Sequence, residues 1–198
     1  VVVARAVNLL AAGGTSGAMQ VSLGGTSSAG LKSGTFLATY ASDGTGTSGF
    51  AALTGGSQTF TVTGSVYRLA SLALNASSIN LGRIRLGSGS VFSAGTLTLS
   101  NASLADGYSD LLGLSTTTSG GLSVLGGSSV LSAGSSTGLS ISYVGDVSSA
   151  GVKTGTLNFA SVSRGQTGTG LAPVSLSATT AQVQGVVYNG QGLWLGGS

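Results

Sequence analysis

The chain has 198 residues and few charges: Lys plus Arg number 7 and Asp plus Glu 4, for a formal net charge of +3. Without His or Cys, it holds by itself no Ser-His-Asp triad, no thiol nucleophile and no Cys/His zinc site. Its basic residues form no run of the kind that neutralises phosphates, and no stretch approaches the roughly 18 consecutive apolar residues of a spanning helix.

The composition therefore predicts a protein that is not an enzyme, with no catalytic residue, cofactor, metal, nucleic-acid partner or inserted membrane segment. Apolar residues reach 41%, enough for a core, while charged residues make up 6%, far below the ~25% of ordinary soluble domains. A Ser-, Thr- and Gly-rich surface of this kind suits a chain packed against copies of itself. The start, Val1-Val2-Val3-Ala4-Arg5, has no Met and no long apolar stretch, which predicts a processed chain or an excerpt of a longer one.

Taken in chain order, the patterning is that of strands. Gln58 to Tyr67 alternates through Phe60, Val62 and Val66, and Gly95 to Ser100 through Leu97 and Leu99. A short helical turn is expected around Leu104 to Leu114. Leu139 to Val144 alternates again. Period-two alternation puts one face on a core and the other toward solvent, and the Gly-, Ser-, Asn- and Asp-containing breaks between these runs suit turns.

The chain also repeats. Ser27-Ser28-Ala29-Gly30-Leu31-Lys32-Ser33-Gly34-Thr35 returns as Ser148-Ser149-Ala150-Gly151-Val152-Lys153-Thr154-Gly155-Thr156, an offset of 121 residues. Without a gap, the same offset matches Leu10-Ala11-Ala12-Gly13 to Leu131-Ser132-Ala133-Gly134. It also matches Gly64-Ser65-Val66-Tyr67 to Gly185-Val186-Val187-Tyr188, and Leu72-Ala73-Leu74 to Leu193-Trp194-Leu195. Three segments follow: the C-terminal part of one unit (1–71), a complete unit (72–189), and the opening strand of a further unit or a donor strand (190–198). The expected architecture is all-β, with tandem Ig-like antiparallel sandwiches, one partial and one complete. A β-solenoid is the alternative, and its repeat of roughly 20–30 residues is the shorter one.

Ile79-Asn80-Leu81-Gly82-Arg83-Ile84-Arg85-Leu86-Gly87, followed by Gly95-Thr96-Leu97-Thr98-Leu99-Ser100-Asn101, resembles the opening strands of ASH-type Ig-like domains. Asn101-Ala102-Ser103, Asp106-Gly107-Tyr108-Ser109 and the Ala-Gly-x-x-Ser/Thr-Gly-Thr segment of both repeats are similar to bacterial choice-of-anchor-D repeats. Leu111-Leu112-Gly113-Leu114 departs from that pattern where the family usually carries a Glu. The resemblance implies an exported, cell-surface β-sandwich module without an active site.

Each candidate site has a plain structural alternative. Asp106, Asp110 and Asn101 can offer oxygens to Ca²⁺, but such a cation wants 6–8 of them, and Asp in a Gly-containing loop more often bonds its own backbone. Lys32 and Lys153, at equivalent positions, suit either a Lys–Asn isopeptide staple or a turn that guards a sheet edge. Arg83 and Arg85 suit an anionic ligand or an exposed strand face. Thr59, Thr61 and Thr63 form one hydroxyl row of ordinary strand chemistry. Asn75-Ala76-Ser77 and Asn101-Ala102-Ser103 match the glycosylation acceptor pattern.

The reading that joins these features is an extracellular structural protein, part of a self-associating fibre or stalk whose partners are its own copies or adjoining repeats. Gly192, Leu193, Trp194 and Leu195 are its expected self-association residues, acting by strand pairing. The alternative function is an adhesin or carbohydrate-binding surface module. Tyr40, Tyr67, Tyr108, Tyr143 and Tyr188 are, however, widely dispersed.

Overall fold

The structure, a computed structural model, describes residues 1–4 and 6–190. The chain divides between Tyr67 and Arg68 into two compact units, and every element in both is a strand. The expected self-association residues Gly192, Leu193, Trp194 and Leu195 lie outside the described residues.

In unit 1, β1 (Val2–Ala4) pairs antiparallel with β2 (Gln20–Ser22). The long strands β3 (Gly30–Gly44) and β4 (Phe50–Val66) pair antiparallel as a second, two-stranded sheet.

Unit 2 runs through β5 (Leu72–Leu74), β6 (Ser78–Arg85), β7 (Gly95–Asn101), β8 (Leu111–Ser119), β9 (Leu122–Gly126), β10 (Val130–Leu131), β11 (Ser136–Tyr143), β12 (Gly151–Arg164), β13 (Val174–Ser175) and β14 (Thr179–Tyr188). One sheet has the order β5-β7-β11-β9; the other has β10-β8-β12-β14-β6, with β13 on β12. Lettered by chain order, these are the A-B-E-D and C-F-G sheets of an Ig-like sandwich. This strand order leaves no room for the solenoid alternative.

Alternation explains the core. On β7, Leu97 and Leu99 point inward, on β11 Leu139 and Ile141, on β12 Leu157 and Phe159, and on β14 Ala181, Val183 and Val187; all are buried. Full burial of each Leu, Ile, Val or Phe contributes about 1.5–3 kcal/mol. The intervening positions on β12 and β14, such as Thr154, Asn158, Gln182 and Gln184, carry the polar outer face.

Two expectations are corrected. The sandwich is not wholly antiparallel, because β6 runs parallel to β14. The chain enters on the A-B-E-D sheet as β5 and then crosses to the other sheet as β6, which fixes that direction. A register shift at Gly82, where φ is +87°, lets Ile79, Leu81 and Ile84 all face the core although their spacing breaks period two. Nor does 104–114 make a helical turn. Asp106 Oδ1 accepts the Tyr108 N–H at 3.0 Å, an Asx turn, and Leu111 already pairs with Arg164 in the β8–β12 ladder. Local side-chain bonding to the backbone competes with helix in this way. At the sharp reversal between β8 and β9, Gly120 (φ +75°) lies so close to the Thr154 carbonyl that a side chain would collide with it.

The repeat is visible in the backbone. In β3–β4, Gly30 pairs with Val66 and Phe36 with Phe60. At the 121-residue offset the β12–β14 ladder pairs Gly151 with Val187 and Leu157 with Ala181, the same register. The first hairpin departs by one residue. Val3 pairs with Val21 while its counterpart Val124 pairs with Ile141, so the offset there is 120 and the match is not gapless.

Candidate assembly interface and buried polar site

Unit 1 contains counterparts of β9, β11, β12 and β14, and its hairpins stack as in unit 2. In unit 2, Leu122 presses against Gly155, where a Cβ would come within 2.5 Å of Leu122 Cγ. In unit 1 Val1 presses against Gly34 in the same way. These matched glycines admit a large apolar neighbour against the backbone, and their recurrence at the 121-residue offset was the sequence signal for that contact.

The faces differ in what covers them. Ala181 is fully buried, yet its counterpart Phe60 is 40% exposed, and it stacks on Phe36 with ring centroids 5.1 Å apart. Toward the turn, Tyr40, on the same face of β3 as Phe36, is also exposed. A groove of about 530 Å³, lined by Leu9, Leu10, Met19, Ala38, Tyr40 and Ala52 among others, adjoins this hairpin. The edges differ too: β12 is flanked by β8 and β14 by β6, whereas among the described residues β3 and β4 ladder only with each other. An apolar face bordered by unpaired backbone edges is a surface for strand addition.

Unit 2 holds a buried polar cluster that sequence reading missed. The Asn101 side chain, fully buried, donates through Nδ2 to the carbonyls of Asp110 (3.1 Å) and Leu131 (3.3 Å). Its Oδ1 accepts the N–H groups of Ser71 (3.1 Å) and Ser103 (3.3 Å). Close by, Ser163 Oγ donates to Asp110 Oδ2 at 2.7 Å and accepts the Ala70 N–H at 2.8 Å. Asp110 Oδ1 and Ser161 Oγ are buried without a hydrogen-bond partner.

The three residues considered for Ca²⁺ are thus differently employed. Asn101 joins four backbone groups, Asp110 faces Ser163, and Asp106 forms a 2.7 Å ion pair with Arg68. The Tyr108 N–H and then Arg68 hold the Asp106 carboxyl below the usual carboxylate range. Among the described residues no cluster of three or more His, Cys, Asp or Glu is placed to hold a metal.

No known family's sequence profile matches the chain, and no curated protein matches it. Solved structures do. The periplasmic chaperone SfaE is similar at 11% identity over 64% of this chain and 60% of its own, with a TM-score of 0.39. The Salmonella enterica SafA pilin in complex with the SafB chaperone is similar at 16% identity, over 64% of this chain and 59% of the other, with a TM-score of 0.40. Domains 4 and 5 of the S-layer protein SbsC are similar at 13% identity over 89% of this chain and 93% of theirs, with a TM-score of 0.33. The match therefore spans about 60% of the chaperone's length.

The remaining candidates resolve as local structure. Lys32 Nζ donates to Ser28 Oγ at 2.8 Å and Lys153 Nζ to Ser149 Oγ at 3.0 Å, the same contact in both repeats. The Arg83 guanidinium lies over the Tyr188 ring, 5.6 Å from its centroid, and Arg85 is exposed on the same strand. Thr59, Thr61 and Thr63 stand opposite Leu37, Thr35 and Ser33 on an exposed face. Asn75 is exposed and accepts the Thr98 N–H at 2.8 Å, whereas Asn101, buried and fully bonded, is closed to glycosylation in the folded chain.

Proposed function

We propose that this chain is a non-enzymatic structural segment of an extracellular surface assembly, built from Ig-like repeats of choice-of-anchor-D or ASH type. Its units join neighbouring repeats, or further copies, through strand pairing and the packing of sheet faces. One observation carries this reading. The β3–β4 hairpin reproduces the β12–β14 register, but its Phe60 is 40% exposed where the equivalent Ala181 is at 0%. Such a surface gains from a partner both the burial of apolar area and the pairing of backbone groups.

Sedimentation velocity of the 198-residue chain across a concentration series, with electron microscopy of the concentrated sample, tests the proposal. Concentration-dependent association into elongated species is the expected result. A monomer near 18.9 kDa at every concentration overturns it.

A further inference from the structure

The two repeats also differ at a second pair of matched glycines. In unit 2, Phe92 is buried and its ring lies flat against Gly185, where a Cβ would come within 2.5 Å of Cε1 and 2.8 Å of two further ring atoms. Tyr143 meets that ring in an edge-on contact at 5.6 Å. The segment that delivers Phe92 is the one that begins with β6, which pairs parallel to β14 with Ile79 opposite Val183 and Ile84 opposite Val187. In unit 1 the counterpart of Gly185 is Gly64. A Cβ there would meet only Leu23, 3.1 Å away, and no aromatic ring occupies the seat.

We propose that the β4 edge of unit 1 takes one kind of occupant: an extended segment chemically equivalent to residues 76–93, as carried by another repeat of this type. It runs parallel to β4, sets apolar side chains opposite Val62 and Val66, and places an aromatic ring on Gly64. Three features specify it. The backbone of β4 along residues 57–66 ladders on one side only among the described residues. Val62, Gly64 and Val66 face inward at the repeat positions of Val183, Gly185 and Val187. Gly64 removes the side chain that would keep an aromatic ring off the backbone. Main-chain pairing supplies affinity in such additions, and pockets for alternate side chains supply specificity. This inference rests on the proposed assembly function and names the partner segment for it.

The test is a synthetic peptide of residues 76–93, titrated into the 198-residue chain by calorimetry and mapped by hydrogen exchange. Saturable 1:1 binding is expected, with new protection across residues 57–66. Replacing the peptide's Phe92→Ala should weaken binding roughly a hundredfold, since burial of a Phe ring is worth that much. In the chain, Gly64→Leu should abolish the protection; if that variant does not fold, the peptide substitution still decides. Protection on β14 instead of β4, or affinity indifferent to Phe92→Ala, overturns the inference. So does an absence of binding at millimolar peptide. Sedimentation of the untreated chain reports on the assembly function separately, so a chain that self-associates but ignores the peptide refutes only the choice of occupant.

Discussion

Asn101 and Asp110 are joined in the interior of unit 2, the Asn101 amide donating to the Asp110 carbonyl at 3.1 Å. With its three other hydrogen bonds, Asn101 fixes the approach of β5, β8 and β10 to the end of β7. Replacing it by Ala leaves the buried carbonyl contacts of Asp110 and Leu131, and the part-buried ones of the Ser71 and Ser103 N–H groups, without their side-chain partner. The expected cost for Asn101→Ala is about 2–4 kcal/mol, from the penalty of unsatisfied buried groups. Urea unfolding followed by circular dichroism measures it; a midpoint equal to that of the parent chain contradicts this role.

Two serines on the same face of β12 should respond with opposite signs. Ser163 Oγ both accepts the Ala70 N–H and donates to Asp110, so Ser163→Ala leaves a buried carboxylate oxygen without its donor and should destabilise by about 2–3 kcal/mol. Ser161 Oγ is buried without a partner, so Ser161→Ala removes a desolvated hydroxyl and should be neutral or stabilising by up to about 1 kcal/mol. Thermal melts of the two variants side by side check this, and equal losses refute it.

How much of this was legible in the sequence follows the physics of each signal. The alternation through Leu97 and Leu99 and the recurrence of Gly34 and Gly64 as Gly155 and Gly185 are local or periodic, and they show the strands and the repeat directly. The shift at Gly82 is different: it brings Ile84 inward by breaking the period that a reader relies on. The crossing from β5 to β6, and the parallel pairing it imposes, depends on contacts with β14 a hundred residues later in the chain. Asn101 and Asp110 read as loop residues because polar side chains are usually exposed. Their burial is set by Leu112, Leu131 and Ala70 closing over that end of the sandwich, which no local pattern announces. The helical turn expected over 104–114 fails for a local reason, because the Asp106 side chain closes an Asx turn there instead.

Acid should weaken the fold through three exposed carboxylates. The Asp43 carboxyl is held low chiefly by the Thr45 hydroxyl, Asp106 by the Tyr108 N–H, and Asp146 by the Ser148 N–H. A carboxyl lowered in the folded state relative to an unfolded value near 3.9 contributes stability that is fully present above that value. It is lost as pH falls through the lowered folded value. Stability is therefore expected to be flat in this respect above about pH 5 and to fall below about pH 4. Replacing all three by Asn should shallow that acid limb, and thermal melts across the range will show it. An acid limb of unchanged steepness in the triple variant excludes these groups as its source.

The stacked pair Phe36 and Phe60 offers the most direct test of assembly. Their rings, 5.1 Å apart and 16° from parallel, lie on the hairpin face whose counterpart in unit 2 is covered. Aromatic groups at the centre of an interface are commonly worth about 2 kcal/mol or more, so Phe60→Ser should weaken self-association by at least tenfold. Phe50, 75% exposed at the start of β4, is the control. It is more exposed than Phe60 but lies beyond the stretch of β4 whose register recurs in β14. If association comes from the repeat's own packing, Phe60→Ser acts and Phe50→Ser leaves the sedimentation profile nearly unchanged. If undirected stickiness is responsible, the more exposed Phe50 matters at least as much. Equal effects of the two substitutions would therefore count against the assembly face, because only specific packing distinguishes a part-covered ring from a mostly exposed one.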